Sequence, residues 1–218
     1  MNQEQSSTRV LSILEEDGVS IEGGALDWVP VRRRLGIRAF GTNAYRAAKA
    51  GDQVIEKHNE SPGHEELYVV LAGSARITVG DEDFECGPGT AVFIPDPDLI
   101  RSGTALEDGT AVLAVGGWPD RAFHPMPWEP IYLAQNAVRD GDWAEAAAVL
   151  EREARETRES KFVKYRLACY YARAGDEERA LAELEGAIAA DPSLRDKAEG
   201  EEHFASLRET PGWKALVA

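Results

Sequence analysis

The stretch HNESPGHEELYVVLAG, residues 58–73, places two histidines and three glutamates directly before an apolar run that ends in glycine. Alternate residues of a β-strand point to the same face of a sheet, so we expect His58 and Glu60 to enter one cavity. Glu66 is expected to join them from the next strand. Imidazole and carboxylate groups together suit iron, manganese, nickel or zinc, so this stretch is the candidate site of the chain.

The residues around this stretch form short β-type runs between about Ala39 and Gly117. Gly, Pro and Asp separate the runs, at turns such as Gly80-Asp81 and Gly87-Pro88-Gly89. The predicted strands are residues 42–47, 53–57, 67–71, 75–79, 90–94 and 110–115. Runs at such regular spacing predict an antiparallel sandwich or barrel.

The composition changes after about Ile131, where Ala, Glu and Arg dominate and apolar residues recur every three or four positions. This pattern predicts amphipathic helices. The segment between the two parts, residues 118–130, contains four prolines. Because proline disfavours both helix interiors and sheet ladders, we predict a stiff connector and a domain boundary there.

The helical part contains a repeat. Gly141-Asp142 recurs as Gly175-Asp176, which is 34 residues later (175 − 141). That period is the length of a tetratricopeptide repeat, and residues 161–194 resemble one. The residues that carry this resemblance are Leu167, Ala168, Tyr171, Gly175, Ala180, Leu184, Ala187 and Pro192.

The preceding unit, residues 127–160, resembles a degenerate repeat, because Glu153 and Arg158 stand where alanine and proline are expected. Residues 204–217 are predicted to cap the array. Two repeats are fewer than the three or so that a free array needs, so we expect them to pack against the β-domain. Two roles stay open: a groove for a protein partner, or a brace for the barrel or a dimer.

Residues 51–73 resemble the first motif of the cupin superfamily, in which a His-x-His pair precedes a glutamate and a glycine seven residues further on. Glu66 and Gly73 keep that interval, and His58-Asn-Glu60 occupies the position of the His-x-His pair. His64, on the inserted Ser-Pro-Gly-His segment, is a candidate substitute. The resemblance implies a double-stranded β-helix with a metal site formed by His58, Glu60, His64 and Glu66.

Residues 87–95 resemble the second cupin motif, which is normally followed by the last histidine ligand. Arg101 follows here instead, and no histidine occurs between His64 and His124. If Arg101 points inward, we expect it to pair with Glu60 or Glu66, or to bind a carboxylate or phosphate ligand. If it points outward, the cavity has an apolar floor.

Two interpretations of the cavity therefore stay open. In the first, a metal-poor pocket binds a small molecule through Arg101, Glu66 and Tyr68, or its polar groups simply satisfy one another by hydrogen bonds. In the second, the site holds a divalent transition metal, which the absent histidine and the charge of Arg101 disfavour. His124 and His203 are predicted to be structural or surface residues.

The charge of the chain disfavours two classes of partner. It contains 24 lysines and arginines against 39 aspartates and glutamates, a net charge of −15. Such a surface repels nucleic acid and anionic membranes. The sequence shows no signal-like start and no apolar run of about 18 residues, and Cys86 and Cys169 lack metal-type spacing. We therefore predict a cytoplasmic protein with reduced thiols.

The sequence predicts an α+β protein in which a cupin jelly roll precedes a small tetratricopeptide-like domain, as in a group of bacterial cupin-domain proteins. We expect an N-terminal extension (residues 1–36), the barrel (37–117), the connector (118–130) and the helical domain (131–218). A homodimer is expected by analogy. The predicted function is small-molecule binding or regulation. The alternative is a metal-dependent oxygenase, isomerase or lyase that acts on a small organic acid or sugar.

Overall fold

The structure is a computed structural model that describes residues 8–21 and 26–217. The chain divides into two compact units, Met1–His124 and Pro125–Ala218. The division falls within the proline-rich segment 118–130. Antiparallel sheets form the first unit and helices form the second, which confirms the predicted α+β class.

The described part of the first unit contains two antiparallel sheets. Its elements are β1 (Val19–Ile21), β2 (Leu26–Val29), α1 (Val31–Leu35), β3 (Gly41–Ala47), β4 (Gln53–His58), β5 (Glu65–Ala72), β6 (Ala75–Val79), β7 (Glu82–Cys86), β8 (Ala91–Ile94), β9 (Arg101–Ala105) and β10 (Thr110–Gly117). One sheet has the order β1-β2-β3-β10-β5-β8 and the other the order β4-β9-β6-β7. Of the eight strands β3 to β10, four lie in each sheet, and every connection except the β6–β7 hairpin crosses from one sheet to the other, in the manner of a jelly roll.

The core of this unit lies between the two sheets. Alternation along β5 turns Glu66, Tyr68 and Val70 inward, and each of them is buried. Tyr68 and Val70 belong to one apolar cluster with Ile55 and Ile77 of the opposite sheet. The candidate carboxylate Glu66 therefore lies on the same inner face as the apolar core, where burial of apolar surface fixes the register of the strand.

Strands β7 and β9 are absent from the sequence prediction. Strand β7 carries charged, exposed residues and forms an edge of its sheet, so it has no apolar alternation. Strand β9, with the sequence RSGTA, has little β-propensity, yet it pairs with β4 and β6 on either side. Position 103 favours glycine, because a Cβ atom there would lie only 2.9 Å from Cδ1 of Ile55.

The N-terminal extension adds strands β1 and β2 to the larger sheet, where β2 pairs with β3. Helix α1 follows β2 directly. Val29 and Val31 pack with Ala44 in a small separate cluster. Parts of the predicted extension, residues 1–7 and 22–25, lie outside the described residues.

The described part of the second unit is helical. It contains α2 (Trp128–Leu133), α3 (Gln135–Arg139), α4 (Trp143–Glu153), α5 (Lys161–Ala174), α6 (Glu177–Ala190), α7 (Leu194–Gly200), a 3₁₀ turn (Glu202–Phe204) and α8 (Pro211–Val217). Helix α2 begins three residues before the predicted helical part. Pro130 is compatible with it because the first turn of a helix needs no N–H donor to a preceding carbonyl.

The two sites 34 residues apart have the same local structure. Gly141 and Gly175 both adopt left-handed backbone angles, with φ of 75° and 83°. Asp142 and Asp176 both follow as N-caps that accept a hydrogen bond from the backbone N–H three residues later. Helices α5 and α6 form a hairpin whose interface contains the fully buried residues Ala168, Ala180, Leu184 and Ala187.

No helix in residues 8–21 or 26–217 has the length and apolar character that a membrane span requires.

Candidate functional site

The candidate site lies between the two sheets of the jelly roll. His58 ends β4 in the smaller sheet and Glu66 lies on β5 in the larger one. One ligand atom from each of His58, Glu60 and Glu66 lies within 4.8 Å of the other two. Glu60 is in the loop after β4, where its backbone N–H donates to the carbonyl of Pro97 at 2.9 Å. The prediction that Glu60 belongs to the strand of His58 is therefore wrong, although the two side chains still converge.

The ring of His58 is oriented by the backbone. Its Nδ1 lies 2.7 Å from the carbonyl oxygen of Glu56. Because a carbonyl only accepts hydrogen bonds, Nδ1 carries a proton and Nε2 faces the two carboxylates. Nε2 lies 3.6 Å from Oε1 of Glu60 and 3.7 Å from Oε2 of Glu66. Burial disfavours the charged imidazole, but these carboxylates outweigh it and raise the pKa of His58 to about 10.

Glu66 forms the floor of the site together with Tyr68 and Arg101. The hydroxyl of Tyr68 donates to Oε2 of Glu66 at 2.7 Å, and Nε of Arg101 lies 3.6 Å from the same oxygen. Arg101 is opposite His58 in the pairing of β9 with β4, and its side chain is 0% exposed. Of the two orientations left open by the sequence, the structure has the inward one.

The guanidinium of Arg101 already forms hydrogen bonds within the chain. Nη1 donates to the carbonyl of Pro97 at 3.3 Å and Nη2 to that of Asp96 at 3.2 Å. Its guanidinium fork is therefore directed at the backbone and at Glu66. A carboxylate or phosphate ligand would have to displace these bonds to reach it.

His64 is buried at the edge of the site. Its ring packs edge-on against Trp118 with 4.9 Å between ring centroids, and its Nδ1 lies 3.6 Å from Oε2 of Glu60. A Cβ atom on Gly116 would lie 2.4 Å from Cε1 of His64, so the ring depends on glycine at this position. His64 is therefore a buried residue although it lies in a loop.

Sequence reasoning assigned Trp118 to the connector and missed its place beside the site. Its Nε1 donates to the carbonyl of Pro62 at 3.3 Å and so holds the loop that carries Glu60 and His64. The guanidinium of Arg121 stacks over its ring at 4.4 Å. The available signal was an aromatic residue three positions after a predicted core strand.

Glu60 and Glu66 have two positive neighbours among the side chains, the guanidinium of Arg101 and the ring of His58, whose pKa they raise. The donor set of His58, Glu60 and Glu66 nevertheless fits a divalent transition metal. Arg101 stands against such an ion because it places a fixed positive charge beside Glu66.

The raised pKa of His58 predicts a pH dependence of stability. A group whose pKa is higher in the folded state stabilises the fold fully below its ordinary pKa of 6.5, and this contribution disappears as the pH rises to about 10. We expect the stability advantage of the metal-free wild type over His58→Gln to fall by about 1–2 kcal/mol over that range. This estimate is less than the full shift because the ring is 33% exposed. Urea denaturation at several pH values measures it, and parallel curves for the two proteins would contradict the assignment.

No family model matches this chain, and no curated protein matches it. Similar solved structures include KdgF from Halomonas sp., with 17% identity, a TM-score of 0.41, and coverage of 53% of this chain and 96% of that one. A predicted oxalate decarboxylase from Thermotoga maritima has 18% identity, a TM-score of 0.42, and coverage of 50% and 97%. A protein from Acidithiobacillus ferrooxidans, whose description as a sugar phosphate isomerase is provisional, has 20% identity, a TM-score of 0.38, and coverage of 44% and 62%. What the site can do follows from its own residues.

Proposed function

We propose that the first unit is a cupin that binds a small hydroxylated molecule, such as a sugar or hydroxy acid, in a metal-free pocket. The observation that carries this proposal is the fully buried Arg101, which pairs with Glu66 near the position of the family's last histidine ligand. A fixed cation there supplies the positive charge that a metal would otherwise provide.

The residues of the pocket divide into a floor and a mouth. Glu66, Tyr68 and Arg101 form the floor, and the buried Tyr68 and Arg101 act by positioning Glu66. His58 and Glu60 form the mouth, where their side chains are 33% and 19% exposed. The imidazolium donates hydrogen bonds and the carboxylate accepts them. A hydroxyl group both donates and accepts, so adjacent hydroxyls on one molecule satisfy this pair.

Isothermal titration calorimetry with a panel of aldoses, uronic acids and small hydroxy acids tests the proposal. A bound compound should lose affinity by about 10–100-fold in Glu60→Gln and His58→Ala, since each change removes a hydrogen bond to a charged group. Lys57→Ala is the matched control, because Lys57 is exposed beside His58 on β4. A panel without any binder, or equal affinities in the wild type and Glu60→Gln, would refute the proposal.

A metal-dependent enzyme is the second candidate function, and the orientation of His58 favours it. The bond from Nδ1 to the carbonyl of Glu56 leaves Nε2 directed at Glu60 and Glu66, which is how metal-ligating histidines are usually held. His58, Glu60 and Glu66 would hold the ion, and a bound ion would polarise a substrate oxygen. His64 would lie beside Glu60 as a further donor.

Elemental analysis of protein purified without chelators separates the two candidates. Stoichiometric iron, manganese, nickel or zinc that is lost in His58→Ala would support the enzyme. Metal-free protein that takes up none of these ions at His58 would support the metal-free pocket. His58 is partly exposed, so its replacement should leave the fold intact, which circular dichroism would verify.

We further propose that the helical unit is a tetratricopeptide-like array that contacts a protein partner. Two observations support this proposal. The same left-handed glycine and aspartate N-cap occur at Gly141-Asp142 and Gly175-Asp176, and the small residues Ala168 and Ala180 are buried. A crystal structure of residues 125–218 provides the test. If α4 does not superimpose on α6 after a shift of 34 positions, the repeat assignment is wrong.

A further inference from the structure

The helical unit contains a second group of metal-binding side chains, formed by Cys169, Glu201 and His203. Cys169 lies in the middle of α5 and is fully buried, whereas Glu201 and His203 follow α7 and are partly exposed. One ligand atom from each residue lies within 4.8 Å of the other two. This group belongs to the second unit and is separate from the site of the jelly roll.

Glu201 and His203 form a fixed pair. Nδ1 of His203 lies 2.6 Å from Oε1 of Glu201, and the backbone N–H of His203 donates to the same oxygen at 3.4 Å. The ring of Trp143 packs edge-on against the ring of His203, with 5.4 Å between centroids. These contacts leave Nε2 of His203 and the second oxygen of Glu201 for another partner.

Tyr165 provides an independent sign of a ligand at this place. It lies one turn before Cys169 on α5 and is 4% exposed, yet its hydroxyl has no hydrogen-bond partner within the described residues. Because residues four apart on a helix share a face, its side chain lies on the side of α5 that carries Cys169. Buried hydroxyl groups are almost always hydrogen-bonded, so this one requires a partner that the side chains do not supply.

A nucleophilic cysteine is the competing interpretation, with His203 as its base and Glu201 as the orienting carboxylate. A reactive cysteine needs a lowered pKa and access to its substrate. Cys169 has neither, because it is fully buried and burial raises the pKa of its thiol to about 12. Metal coordination needs no such access for the sulfur, because the ion can enter past Glu201 and His203.

We propose that Cys169, Glu201 and His203 bind a divalent transition metal, with a preference for zinc, and that the hydroxyl of Tyr165 bonds to a water molecule completing the coordination. Thiolate, imidazole and carboxylate are the donors that zinc takes in proteins. Binding releases the thiol proton to solvent. Zinc bonds of about 2.0–2.3 Å place ligand atoms about 3.3–3.8 Å apart, and the three ligand atoms of this group already lie within 4.8 Å of one another. Rotation of the partly exposed Glu201 and His203 side chains allows the remaining adjustment.

Cobalt(II) titration of the chelator-treated full chain tests the site, because a cobalt–thiolate bond gives a charge-transfer absorption that imidazole and carboxylate do not give. We expect this absorption to saturate at one equivalent in the wild type and to disappear when zinc is added. It should be absent in Cys169→Ala, and cobalt should bind at least about 10–100-fold more weakly in His203→Gln.

Two variants serve as controls. Cys86→Ala removes the other cysteine and His58→Ala removes a donor of the jelly-roll site, and both should keep the full absorption. If Cys169→Ala does not fold, His203→Gln decides the outcome because that side chain is partly exposed. Absence of the absorption in the wild type, or unchanged cobalt affinity in His203→Gln, would overturn the proposal. Neither result bears on the function proposed for the jelly roll.

Discussion

Replacement of Arg101 by methionine should lower the free energy of unfolding of the jelly-roll unit by about 3–5 kcal/mol. The substitution keeps the volume of the side chain but removes the guanidinium beside Glu66 and the donors to the carbonyls of Pro97 and Asp96. A buried carboxylate then loses one of its two cationic neighbours, and two carbonyl groups lose their bonds. Urea denaturation followed by tryptophan fluorescence measures the change.

The chain offers a matched control for this prediction. Arg76 forms an ion pair with Glu85 at 2.9 Å, and both side chains are exposed. Arg76→Met should change stability by no more than about 0.5 kcal/mol, because solvent screens such pairs. Adding Glu66→Gln to Arg101→Met should recover part of the loss, since the carboxylate is then no longer left buried beside an apolar side chain. Equal effects of the two arginine replacements would show that Arg101 does not form a stabilising buried pair.

The orientation of Arg101 is a part of the site that could not be predicted from the sequence. Strand β9 was not predicted, because RSGTA has no alternation of apolar and polar residues and little β-propensity. Only pairing with β4 and β6 makes it a strand. Once that pairing is known, the two-residue repeat of a β-strand directs Arg101, Gly103 and Ala105 inward, and all three are buried in the structure.

Glu66 could be predicted because it belongs to a strand whose alternating apolar residues fix its register. His58 follows a register shift in the pairing of β4 with β9, so its motif identified it and the alternation of β4 did not. Glu60 and His64 belong to a loop, and distant contacts determine their positions. Pro97 receives the N–H of Glu60, and Trp118 holds Pro62 from 56 residues away. No local pattern in the sequence encodes such contacts, so the sequence identified these residues as candidates without placing them.

The helical unit shows the same division between local and distant information. The repeat of glycine and aspartate could be recognised in the sequence, since the left-handed turn and the N-cap before α4 and α6 are properties of those residues themselves. The start of α2 was missed because four prolines suggested a connector throughout. The group of Cys169, Glu201 and His203 has no recognisable spacing, because the fold of α5 and α7 alone brings its members together.

Alanine at Gly73 should destabilise the jelly-roll unit by about 2–4 kcal/mol, through left-handed backbone strain and a steric clash. Gly73 connects β5 of one sheet to β6 of the other, with a φ of 64°. A Cβ atom there would lie 2.8 Å from Cα of Thr110, and a backbone atom in a paired strand cannot easily move away.

Gly89→Ala separates the two causes. Gly89 has a φ of 82° but open space around its Cα, so alanine there should cost only about 1 kcal/mol. Thermal or urea denaturation of both variants measures the difference, which is the contribution of the clash with Thr110. Equal costs would mean that backbone strain alone accounts for Gly73. A larger cost at Gly73 would explain why a glycine follows Glu66 by seven residues: the strand that carries the site carboxylate must end where the chain crosses between the sheets.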